Sequence, residues 1–175
     1  MIGALRPDGT VCTATLRLLL AVARGRSLAV TFHRAIDHVP DQMAALDAIA
    51  ECGGVDYVLT SGGAATARAG ADSISRMVAK CSRRNPGWTL ASTPRIVAAS
   101  GVGVADSPAL VAATGVQDVH MGSAVATEVA RGPVHAVAMG RGSAGKEHLR
   151  RVVDPAKVRA AVEMLGGQWK RARTA

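Results

Sequence analysis

The run LAVTFH (28–33) ends in His33, followed by Arg34 and, three residues further on, Asp37. Three other apolar runs end in similar chemistry: VDYVLT (55–60) runs into Thr60, Ser61, Gly62 and Gly63; RIVAAS (95–100) into Gly101 and Gly103; and VQDVHM (116–121) through His120 into Gly122 and Ser123. Imidazoles can move protons near neutral pH, a guanidinium clamps carboxylate or phosphate, and glycine-rich turns expose backbone N–H groups to anions. Each member also has a plainer reading. His33 and His120 serve either proton transfer or strand-end structure, and Arg34 is either an anion clamp or the ion-pair partner of Asp37. Gly101 and Gly103 either cradle a phosphate or simply turn the chain. The constellation as a whole suits a small anionic ligand, phosphorylated or carboxylated.

Soft metal ligands are sparse. Cys12, Cys52 and Cys81 lack CxxC spacing, so neither a disulfide framework nor a zinc site is indicated. Cys12 and Cys81 fall in helical candidates and Cys52 at a helix end, where thiols pack as small hydrophobes. His120 and Met121 are neighbours on a strand candidate and point to opposite faces, which disfavours joint ligation of Cu(I). No metal ligand set is assigned.

The elements that must position these residues follow from periodicity. A leading fragment, IGAL (2–5), precedes a helix over 11–24, and the run 28–33 reads as a strand. Asp41 after Pro40 is a natural N-cap for QMAALDAIAEC (42–52). The run 55–60 is a second strand, followed by a long helix from about 64 to 80. After an irregular stretch, CSRRNPGWTLASTP (81–94), come a strand at 95–100 and a short helix near Ser107 and Pro108. A fourth strand at 116–121 follows, then a loose Gly-, Ser-, Ala- and Arg-rich segment (122–150), and Asp154 with Pro155 opens the last helix. Strand, turn and helix in fourfold alternation predict a parallel α/β fold. In such folds ligands bind where the strands' carboxyl ends gather.

Composition narrows the class. A chain of 175 residues fits one domain, 1–175, with a core of Ala, Val, Leu and Ile, because aromatics are only 2%. The formal charge is +8, but the basic residues are scattered and the aromatics, Phe32, Tyr57, Trp88 and Trp169, do not interleave with basic runs. Nucleic acid is therefore not expected as a partner. LRLLLAVA (16–23) is too short to span a bilayer and no leader-like apolar segment opens the chain, so a cytoplasmic protein with no membrane partner is expected. The P-loop pattern GxxxxGK[ST] does not occur.

The order and spacing of GALRPDG (3–9), VTFHRAID (30–37), VDYVLTSGG (55–63), VHMGSA (119–124) and VVDPAKVRA (152–160) resemble consecutive motifs of the CutC copper homeostasis family. The resemblance implies a cytoplasmic (β/α)8 TIM-type barrel that handles copper by binding the ion, and it carries over the mouth residues His33, Arg34, Asp37, Thr60, Ser61, His120 and Ser123. It also implies that Met1 falls where the family's fourth strand is finishing, so the chain is expected to be a partial barrel lacking roughly its first half. The family's copper cysteines lie in those early strands and do not map onto Cys12, Cys52 or Cys81; copper is thus implied by resemblance alone. The family's GGGV turn appears as SGVGV (100–104), and Val125 stands where an arginine usually follows.

A parallel sheet cut from a barrel leaves edges and an inner face open. Three outcomes are expected to compete: a flattened open sheet, a homodimer restoring a pseudo-barrel, or a shortened form of a longer protein. The functional expectations are copper homeostasis through copper binding, a TIM-barrel enzyme acting on a small phosphorylated or carboxylated metabolite, or a non-functional remnant.

Overall fold

Pairing in the first sheet starts from backbone satisfaction at the end of the run 28–30. Val30 N donates to Asp56 Oδ2 at 2.6 Å, while Val30 O accepts from Asp56 N and Tyr57 N at 2.8 and 3.1 Å. Regular ladder geometry therefore begins only at Thr31. In the computed structural model, which describes residues 1–82, 93–130 and 149–172, strand β1 is Thr31–Phe32, shorter than the apolar run. The described residues form two compact units, Met1–Val102 with Asp106–His120, and Gly103–Ala105 with Met121–Ala175.

In the first unit β1, β2 (Tyr57–Thr60), β3 (Arg95–Ala98) and β4 (Asp118–Val119) form a parallel sheet in the order β1-β2-β3-β4. Ile2 extends it beyond β1: Ile2 N donates to Thr31 O and His33 N to Ile2 O, at 2.8 and 2.9 Å. Between the strands run α1 (Thr13–Arg24), α2 (Gln42–Cys52), α3 (Ala71–Ser82) and α4 (Ser107–Thr114). This is the expected parallel α/β alternation.

The period-2 alternation of the strands divides the sheet into two faces. Phe32, Val58, Thr60, Ile96 and Ala98 are buried, as are Leu16 and Leu20 of α1, Leu46 and Ile49 of α2, and Ile74 and Met77 of α3. The i, i+3 and i, i+4 spacing of those helical residues turns one stripe of each helix onto that face. Each fully buried aliphatic side chain contributes about 2 kcal/mol of transfer free energy. On the other face Tyr57, Val97 and Asp118 are half-buried and Arg95 is exposed. Arg95 lies 5.8 Å from the centre of the Tyr57 ring, and its Nη2 is 2.6 Å from Asp118 Oδ2, an ion pair without the angle of a hydrogen bond.

Helix ends follow the sequence signals. Asp41 Oδ1 accepts from Met43 N and Ala44 N at 2.8 and 3.0 Å, and Pro108 sits in the first turn of α4. Arg24 closes α1 and reaches the end of α2, where Nη2 donates to Cys52 O at 3.4 Å.

The helix expected from residue 64 begins instead at Ala71. Gly62, with φ +72°, and Gly70 touch backbone to backbone; a Cβ on Gly70 would fall onto the Ser61 carbonyl. Residues 64–70 are spent on this return across the end of β2, held by Ala67 N donating to Ser100 O at 2.9 Å.

The second unit holds β5 (Ala126–Ala130) and β6 (Leu149–Val153), an antiparallel pair with Ala126 opposite Val153, followed by α5 (Pro155–Ala172). Asp154 caps α5 through Oδ1 to Ala156 N at 2.9 Å, and Lys157 Nζ donates to Ala126 O at 2.8 Å. Both strands border or fall within the segment read from sequence as loose. Among the described residues no helix is long and apolar enough to cross a membrane. Trp88 and most of the irregular stretch 81–94 lie outside the described residues.

Candidate functional site

Asp37 is the centre of the site. After β1 the chain turns through a short 3-10 helix, Arg34–His38, which carries the Asp37 carboxylate to the end of β2. There Oδ1 accepts from Thr60 Oγ1 at 2.5 Å and Gly63 N at 3.0 Å, and Oδ2 from Arg34 Nε at 2.7 Å. Ser61 N lies 3.1 Å from both oxygens. The Asp37 side chain is 3% exposed. Burial works to raise its pKa, but the Thr60 hydroxyl, the Arg34 guanidinium and the N–H groups of Gly63 and Ser61 outweigh it and hold the carboxyl below its ordinary value of 3.8.

The hydroxyls are committed as well. Thr60 Oγ1 accepts from Gly62 N at 2.8 Å while donating to Asp37. Ser61 Oγ accepts from Arg34 Nη2 at 2.7 Å and lies 2.6 Å from Ala64 O and 3.1 Å from Asp37 Oδ2, so its single proton goes to one of two close acceptors. Neither hydroxyl is poised as a nucleophile. Arg34 is different: Asp37 and Ser61 grip its Nε and Nη2, its side chain is 42% exposed, and among the described residues Nη1 has no acceptor. The guanidinium is thereby held rigid with one donor edge turned to solvent.

The remaining predicted residues are placed as follows. His33 caps the 3-10 helix, its Nδ1 accepting from Ala35 N at 3.1 Å, which leaves Nε2 as the protonated nitrogen of the neutral ring. Its ring covers Gly3, where a Cβ would come within 2.5 Å of Cε1. His120 is exposed at the end of β4, at the opposite end of the strand order. Three interstrand spacings, about 14 Å along the sheet, separate it from His33. The two imidazoles are not brought together. Gly101 (φ +67°) lies in the first unit against Thr66, beside Ser100, which itself has φ +76° and donates to Ala65 O at 3.0 Å. Gly103 and Ser123 belong to the second unit, where Ser123 opens a short 3-10 turn.

The thiols depart from their expected burial. Cys12, Cys52 and Cys81 are all only partly buried, and Cys12 is the N-cap residue of α1 rather than part of the helix. The Thr15 hydroxyl, 3.2 Å from its sulfur, then the adjacent backbone and Arg6 lower the Cys12 pKa. Burial raises Cys52 and pushes Cys81 up to about 11. Among the described residues, no three His, Cys, Asp or Glu side chains cluster as a metal site. Gln42 is a site residue that the sequence did not suggest. It joins three segments, with Nε2 donating to Ile36 O at 3.3 Å and Oε1 accepting from Ser73 Oγ at 2.5 Å. Its position directly after an N-cap gave no hint of this.

Parallel strands with helices packed on one face, and polar side chains converging at the strands' carboxyl ends, define the (β/α)-barrel class. The CutC family model matches residues 1–125. CutC family proteins from Vibrio vulnificus and Photobacterium profundum are 36% and 38% identical over 119 and 121 residues, covering 68% and 69% of this chain and 44% of each relative. The chain belongs to the CutC family. It spans less than half the length of these curated relatives. A crystal structure from Streptococcus agalactiae, named for a putative copper homeostasis protein CutC, is similar in fold at TM-score 0.57 and 23% identity, covering 68% of this chain and 53% of that one.

Proposed function

We propose that this chain acts in copper homeostasis in the cytoplasm, and that its molecular activity is the binding of a small phosphorylated or carboxylated ligand at the carboxyl ends of β1 and β2. One observation carries the ligand reading: the half-exposed Arg34 guanidinium, fixed by Asp37 and Ser61 with its Nη1 edge unpaired. A pre-oriented planar fork recognises an oxyanion without the entropic cost of ordering a free arginine. Gly101, whose amide has no acceptor among the described residues, turns the neighbouring β3 loop at the same end of the sheet.

The test is titration of inorganic phosphate and of acetate, followed by amide chemical shifts. Saturable shifts at residues 34–37 and 60–63 are expected, weakened about tenfold in Arg34→Gln, the worth of one charge-assisted contact. Shifts that are unsaturable, or unchanged in Arg34→Gln, overturn the ligand reading.

Direct binding of copper ion is the second reading, favoured by family membership and by the thiolate-prone Cys12. A soft thiolate selects Cu(I). Competition against a Cu(I) chelator is expected to show retention that is lost when all three cysteines become serine. Equal retention by the cysteine-free protein refutes thiol ligation.

A further inference from the structure

Behind the Arg34 network, where the first turns of α2 and α3 meet, lies a depression of 370 Å3. That volume falls within the range of about 300–1,000 Å3 typical of small-molecule sites. Its floor is built from backbone and amide: Gly63, at φ +75°, presents main chain where a Cβ would crowd the Gln42 amide at 3.2 Å. Gln42 and Ser73 are bonded to each other across it, which ties α2 to α3 and fixes the two walls.

Two charges of opposite sign line this depression besides Asp37, which Arg34 already neutralises. Arg76, one turn beyond Ser73 on α3, is exposed and has no partner among the described residues. Asp41, on the opposite wall, spends Oδ1 on the α2 cap, and among the described residues Oδ2 has no donor. The two do not form an ion pair with each other. A pocket with a fixed polar floor and separated, unpaired positive and negative groups is complementary to a ligand carrying both charges.

We propose that this depression is a second binding site, distinct from the Arg34 edge, for a small zwitterion whose carboxylate or phosphate meets Arg76 and whose ammonium group meets Asp41. A ligand with one charge satisfies one wall and leaves the other unpaired, so both charges are needed for affinity. The floor adds an acceptor, Gln42 Oε1, which already takes the Ser73 hydroxyl proton.

The experiment uses the full chain, with β-alanine and phosphoethanolamine as probes and propionate and propylamine as single-charge controls, read by amide shifts at Gly63, Ser73 and Arg76. Saturable binding of at least one zwitterion is expected, about tenfold tighter than either control, the worth of one added charge-assisted contact. Arg76→Gln is expected to remove the preference, and so is Asp41→Asn, which keeps an oxygen for the helix cap and removes only the charge. Phosphate shifts at residues 34–37 are expected to persist in Arg76→Gln, which separates this site from the proposed anion site. Binding of propionate as tight as β-alanine, an unchanged zwitterion preference in Arg76→Gln, or no saturable shift from either zwitterion in the folded chain overturns the proposal.

Discussion

Replacing Asp37 tests whether one carboxylate organises the site. In Asp37→Ala, the Thr60 hydroxyl and the Ser61 N–H lose their acceptor, and both residues are 0% exposed. Each buried donor left unpaired costs about 1–1.5 kcal/mol, and the Arg34 pair adds about 0.5 kcal/mol after discounting for an arginine 42% exposed to solvent. The sum is about 3 kcal/mol. Asp37→Asn retains one oxygen and the side chain's shape and is expected to cost about 2 kcal/mol. Urea unfolding at several pH values provides the assay. Because the folded carboxyl titrates below 3.8, the unfolded state takes up the proton first. The wild-type advantage over Asp37→Asn is therefore full above roughly pH 5 and lost as pH falls through the folded value. A cost below about 1 kcal/mol for Asp37→Ala, or an advantage that grows on acidification, would refute the reasoning.

Gly70→Ala places a methyl group on the Ser61 carbonyl and is expected to destabilise by about 3 kcal/mol, whereas Gly166→Ala, with open space around its Cβ, is expected to stabilise α5 by about 0.5–1 kcal/mol; melting of both variants checks the contrast. Alkylation followed by peptide mass spectrometry is expected to label Cys12 first, Cys52 next and Cys81 last. The Thr15 hydroxyl favours the Cys12 thiolate and burial opposes the other two; Cys81 labelling at the rate of Cys12 at neutral pH would contradict this.

What could be read from sequence was what short-range spacing encodes. Asp41, Pro108 and Asp154 stand at the helix starts they announced, and the runs around Tyr57–Thr60 and Arg95–Ala98 became the two longest strands of the parallel sheet. The Arg34–Asp37 pairing was legible because i, i+3 residues on one helical turn meet whatever the fold does. The rest depends on three-dimensional order. That Thr60, Ser61 and Gly63 converge on Asp37 follows from β1 lying beside β2, and that His33 and His120 stay apart follows from β1 and β4 standing at the two ends of the strand order. Alternation of strands and helices does not disclose either. The late start of α3 was hidden because the contact between Gly62 and Gly70 is one of backbones, to which apolar periodicity is blind. The pair β5–β6 was missed because ATEVA and LRRVV carry weak strand signals and lie far apart in the chain.

The Asp37 network also constrains how this sequence can drift. Four donors from two segments more than twenty residues apart share one carboxylate. A replacement at Arg34, Thr60 or Ser61 is thus felt by partners it does not adjoin in the chain, and its effect depends on which of the others has already changed. An inserted residue between Arg34 and Asp37, or between Thr60 and Gly63, would shift the whole set out of register at once. Accepted changes here should therefore come in groups rather than singly, while the outer face of α1, with Leu18 71% and Val22 68% exposed, is free to vary one position at a time.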